Sequence, residues 1–180
     1  MQTSRLVYYI NPYDKHPVQS LTSLISARMP QNTMPVVLCI GSDRLTGDCL
    51  GPITGSRLSS RLGGRVSVYG TLESPVHALN LREVVEKINK SHADPYIIAV
   101  DACLGTHIGS VTLSEGSLVP GAGLNKALSA VGQLSITGIV GSCHGNTLNN
   151  LSTVRLGSVI SLSEIISTAL ENSLTAAIMR

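Results

Sequence analysis

The chain has 180 residues, 43% of them apolar and 13% charged, with a formal net charge of +2. That is the length of one domain, able to bury roughly 70% of its unfolded surface without a disulfide or a metal, and it is too apolar for a disordered chain. The aromatic share is 3%, all of it Tyr. With no stacking platform and no dense Lys/Arg run, nucleic acid is not an expected partner, and no window approaches the ~20 apolar residues of a membrane span.

The first fifteen residues, MQTSRLVYYINPYDK, carry no long apolar stretch and do not read as a signal peptide. Residues 1–35 read as an appendage to the core, with a short helix marked by Leu21, Leu24, Ile25 and Arg28 and closed by Pro30 and Pro35. Val36–Ile40 is an apolar run of strand length. After the loop Gly41–Gly47, a helix is predicted from Asp48 to Leu62 and ends at Gly63-Gly64. Gly51 and Gly55 are four apart on it and let it sit close to a sheet. Val66–Tyr69 reads as a strand, Leu81 to Ile88 as a helix and Tyr96–Val100 as a third strand ending on Asp101. Val111–Leu113 and Leu134–Val140 are further strands, separated by the loop Pro120–Lys126, and Leu156 to Met179 is a long amphipathic helix. The alternation predicts one three-layer α/β/α sandwich over residues 1–180, with a mixed, mostly parallel sheet.

Asp48 and Asp101 each follow a predicted strand, the first and the third. In an open α/β sheet those strands lie side by side where the winding reverses, and ligands bind beyond their carboxyl ends. Two converging carboxyl groups supply an acid and a base from one residue type, because like charges push their proton affinities apart. The alternatives at this point are a shared divalent metal and two plain structural roles, a helix cap at Asp48 and a turn residue at Asp101.

The segment Cys39-Ile-Gly-Ser-Asp-Arg-Leu-Thr-Gly-Asp-Cys-Leu-Gly-Pro52 resembles the signature of the YyaC-like sporulation proteins. That group resembles the germination protease of spore-forming bacteria and, more remotely, the hydrogenase-maturation endopeptidases. Val100-Asp-Ala102 is similar to the second aspartate motif of the germination protease, and Pro120-Gly-Ala-Gly-Leu-Asn-Lys126 to its glycine-rich loop. The resemblance implies an endopeptidase with Asp48 and Asp101 catalytic and a protein or peptide substrate such as a spore protein. It also implies work in the cytoplasm of the sporulating cell or spore, with no cofactor required. Through the maturation endopeptidases it implies, as the alternative, a divalent metal held by Asp48, Asp101 and His144, the last in Ser142-Cys-His-Gly145. A third reading is a non-enzymatic spore protein on a protease-like scaffold. Association into a homo-oligomer is compatible with all three.

Around the aspartates, Asp43 is assigned to fixing the loop and Arg44 to neutralising carboxylates or meeting a substrate carbonyl. Gly121 and Gly123 allow backbone to approach a bound peptide, and Asn125 and Lys126 are candidate donors to an oxyanion. His107, six residues beyond Asp101, is the other histidine near the crevice. The four cysteines, Cys39, Cys49, Cys103 and Cys143, contain no C-x-x-C pair and point to reduced thiols. A cysteine nucleophile at Cys49 or Cys103 lacks a placed histidine base. Neither G-x-G-x-x-G nor a Walker sequence occurs at Gly41–Gly51, so nothing points to a nucleotide.

Overall fold

The computed structural model describes residues 6–120 and 129–179. The elements are β1 (Val7–Ile10), α1 (Pro17–Ser26), β2 (Val36–Cys39), a 3-10 turn at Gly47–Cys49, α2 (Leu50–Leu62), β3 (Val68–Tyr69), α3 (Leu81–Ser91), β4 (Ile97–Leu104), β5 (Val111–Glu115), β6 (Leu134–Gly141), α4 (Thr147–Ser152) and α5 (Leu156–Ile178). They build the expected α/β sandwich around one six-stranded sheet of order β1-β5-β6-β4-β2-β3. The pairs β3/β2, β2/β4 and β4/β6 are parallel, and β6/β5 and β5/β1 antiparallel.

The two faces follow from the period-2 alternation of side chains along each strand. Val37, Cys39, Ile98, Val100, Val111, Leu113, Leu134 and Ile136 join one buried cluster with Leu21 and Ile25 of α1, Leu50, Leu58 and Leu62 of α2, and Val159, Leu162, Ile166 and Leu170 of α5. On the other face Val36, Leu38, Ile40, Ile97 and Ala99 pack under Leu81 and Ile88 of α3. No Phe or Trp contributes, so branched aliphatic side chains fill both layers. The ion pairs of Arg61 with Glu164 (2.8 Å) and Glu171 (3.3 Å) across α2 and α5 are partly exposed. Each contributes at most about 1 kcal/mol, so the apolar layers hold the helices.

Four elements differ from the sequence reading, one of them α4 (Thr147–Ser152), which it did not include. Residues 7–10, inside the stretch read as an appendage, form an edge strand on β5, and α1 of the same stretch places Leu21 and Ile25 in the core. The second predicted strand shrinks to Val68–Tyr69. The third runs on through Asp101 to Leu104, because β6 offers a long parallel partner that pairs Asp101 with Thr137.

The spacing of Gly51 and Gly55 does what it predicts. A Cβ on Gly51 would be driven into the Ile40 carbonyl oxygen, and one on Gly55 into the carbonyl oxygen of Gly70. These are backbone atoms with nowhere to retreat. Gly51→Ala should therefore cost about 3 kcal/mol or more, read as a lower urea midpoint. An unchanged midpoint would show that α2 does not need this close approach.

Candidate functional site

The order β3-β2-β4-β6 places the winding reversal between β2 and β4. β2 ends at Cys39, opposite Val100, while β4 continues. Asp101 therefore stands one residue beyond the end of its neighbour.

The chain leaving β2 turns at Gly41, whose φ of +142° and contact with the Asp48 carbonyl oxygen leave no room for a side chain. The following loop folds back on itself: Ser42 N–H donates to Asp48 Oδ2 (2.8 Å) and Asp48 N–H donates to the Leu45 carbonyl (3.0 Å). The turn carrying Asp48 is fixed from two other sides. Gly47 is buried against Leu151 and Val154, and the Leu50 side chain rests on Gly138 of β6. Asp48 thus sits half-buried on a braced turn at the start of α2, with its carboxylate engaged by a backbone donor.

Asp101 is a different kind of carboxyl group. It is only 6% exposed and accepts the Ala102 N–H at 2.8 Å. Burial pushes its pKa well above the ordinary carboxylate range, the negative charge of Asp48 pushes it further, and the Ala102 bond only partly opposes them. The two carboxyl groups therefore interact, the charge of Asp48 adding to the burial that raises the proton affinity of Asp101.

The remaining sequence candidates fall into three groups. Asp43 and Arg44 lie exposed on the β2–α2 loop, and it is Asp48 that accepts the loop's Ser42 N–H. His144 is exposed on the β6–α4 loop, which Asn150 Nδ2 pins by donating to the Ser142 (2.8 Å) and His144 (2.7 Å) carbonyls. Gly121, Gly123, Asn125 and Lys126 lie outside the described residues. Among the described residues no three of His, Cys, Asp and Glu are placed to hold a metal ion, so the alternative set Asp48, Asp101 and His144 is not assembled there. His107 is exposed and tilted against the Tyr9 ring, 4.9 Å between centroids. Nor does a helix among the described residues have the length and apolarity to cross a membrane.

Neither neighbouring thiol is poised for attack. Burial, then the charges of Asp48 and Asp43, push the Cys49 thiol up. Burial raises Cys103 as well, and its bond to Thr137 Oγ1 (3.4 Å) only partly offsets that. What the sequence reading missed is Thr137, the register partner of Asp101, which binds Thr112 Oγ1 at 2.6 Å. The alternation of polar and apolar residues in Leu134-Ser-Ile-Thr137 is its sequence signal.

Comparison with known proteins finds a match to the model of the family described as "Protein of unknown function (DUF1256)" over residues 9–169. The chain is also 38% identical over 170 residues to "Uncharacterized protein YyaC" of Bacillus subtilis (strain 168), covering 92% of this chain and 83% of that protein. Both aspartates lie within the family match.

The raised pKa of Asp101 gives a definite pH dependence. Unfolded, the group titrates at about 3.9; folded, it keeps its proton to higher pH. Below the unfolded value it imposes no penalty on folding. As pH rises from there towards the folded value, the penalty grows and then levels off. Asp101→Asn removes the titration and keeps an acceptor for Ala102 N–H. The stability of the variant relative to wild type should rise between pH 4 and pH 7 in urea titrations. A difference that stays flat or falls over that range contradicts the burial of an acidic proton here.

Proposed function

The chain belongs to the DUF1256 family, and we propose that it is an endopeptidase in which Asp48 and Asp101 activate water against a peptide bond. The observation that carries this reading is the pairing of a nearly buried, proton-holding Asp101 with the half-buried Asp48 at the switch point of the sheet. The motif resemblance to the germination protease supports the same two residues and suggests a spore protein as substrate.

The chemistry divides between them. Asp48 takes a proton from water as the water oxygen bonds to the peptide carbonyl carbon. Asp101 gives its proton to the carbonyl oxygen, so no full oxyanion forms near two acidic groups. The C–N bond then breaks, the amine nitrogen receives the proton held on Asp48, and Asp101 recovers its own from the tetrahedral hydroxyl. Water is consumed, and one carboxyl and one amino terminus appear.

Incubation of the chain with proteins extracted from spores, followed by mass spectrometry of new termini, tests this. Wild type should generate new termini, and Asp48→Asn and Asp101→Asn should each lower the rate by about a hundredfold or more. No cleavage by wild type, or cleavage by either variant at the wild-type rate, overturns the proposal.

A further inference from the structure

Asp101 is the first member of a row that crosses four strands. The ladder pairs it with Thr137, Thr137 with Thr112, and Thr112 with Tyr9, so all four project from the same face. The adjacent row pairs Ser135 with Ser114 on that face. Here the sheet carries hydroxyl groups where the neighbouring half, under α3, carries aliphatic side chains. A cavity of about 440 Å³ opens over these hydroxyls, beginning at Cys103, two residues along β4 from Asp101, and reaching Cys143 at its rim. Its described lining contains no carboxylate, ammonium or guanidinium group.

The hydroxyl protons can be counted. Ser135 donates to the Ser114 carbonyl (3.1 Å), so the Ser114 hydroxyl donates to Ser135 Oγ (3.0 Å), and both protons of that pair are used. Thr112 and Thr137 share one bond of 2.6 Å, which uses one of their two protons, while Cys103 supplies Thr137 with a donor. One threonine proton is left with no acceptor among the described residues. A complementary group must accept that proton and donate to a hydroxyl lone pair, and a neutral one suits the hydroxyl floor best, because among the described lining residues the one ionisable nitrogen group, His107, is exposed and rests against Tyr9 rather than on the hydroxyls. A carboxamide does all three, and the volume accommodates the longer of the two natural ones.

We infer that this hydroxyl-walled cavity receives a carboxamide side chain, Gln or Asn, flanking the peptide bond held at Asp48 and Asp101. The inference rests on the peptidase reading for its substrate but on the strand register and the cavity for its chemistry. The offset from Asp101 to Cys103 is about 6.6 Å along the strand, within reach of a residue next to the scissile bond.

The test uses the full chain and the capped peptides acetyl-Gly-Gln-Gly-amide, acetyl-Gly-Glu-Gly-amide and acetyl-Gly-Lys-Gly-amide at neutral pH. Iodoacetamide labelling of Cys103 and Cys143 is followed by mass spectrometry, with the buried Cys39 and Cys49 as references. The Gln peptide should slow labelling of both lining thiols, and the Glu and Lys peptides should need at least about tenfold more to match it. Thr137→Val should raise the half-protecting Gln concentration about tenfold. Thr112→Val, equally isosteric and strand-compatible, gives the same reading if the first variant does not fold. Equal protection by the three peptides, no protection, or protection unaffected in a folded Val variant overturns the pocket. The Asp101→Asn protein is labelled in parallel: protection there, with no hydrolysis of any substrate by wild type, sinks the peptidase reading and leaves the pocket standing.

Discussion

Asp101 is withdrawn from water beside a second acidic side chain, and that arrangement is costly unless the proton stays on. Everything distinctive about this fold's carboxyl end follows from holding it there. β4 must run past the end of β2 so that Asp101 projects beyond its neighbour. Gly41 must let the chain turn sharply enough to bring Asp48 back over that point. The turn bearing Asp48 must then be kept from relaxing, which Leu50 on Gly138 and Gly47 against Leu151 accomplish through packing. Solvent exposure of Asp101 would restore an ordinary carboxyl group and dissolve the difference between the two acids.

The two faces of the sheet divide stability from chemistry. The face under α1, α2 and α5 is continuous hydrocarbon from β5 to β2. The opposite face is hydrocarbon only where α3 covers it; toward β5 it turns to paired hydroxyls whose bonds are short and nearly closed among themselves. Such pairs satisfy buried polar atoms without fixing a charge.

Much of this was legible in the sequence because burial leaves local marks. Val36–Cys39 and the helices α2 and α5 follow from apolar runs and periodicity, and the close seating of α2 from Gly51 and Gly55. β1 was not legible: Val-Tyr-Tyr-Ile is too short to announce itself, and only its pairing with β5 defines it. The continuation of β4 through Asp-Ala-Cys-Leu was hidden for the same reason, since its cause is β6, whose register partner for Asp101 is Thr137, about 36 residues on. The side-by-side placement of β2 and β4, the strands that lead to Asp48 and Asp101, followed from topology. The exposure of Asp43, Arg44 and His144 did not, because loop orientation is settled by contacts such as those of Asn150 that no spacing encodes. The hydroxyl rows were written plainly in Val-Thr-Leu-Ser and Leu-Ser-Ile-Thr, yet alternation alone does not say which polar face is covered.

The edge strand β1 has a consequence for biosynthesis. Its partner β5 is made about a hundred residues later, so the two can join only after the intervening chain has been synthesised. Until then Val7 and the tyrosines beside it travel as an unpaired, sticky ribbon. High contact order of this kind slows the final closure of the sheet.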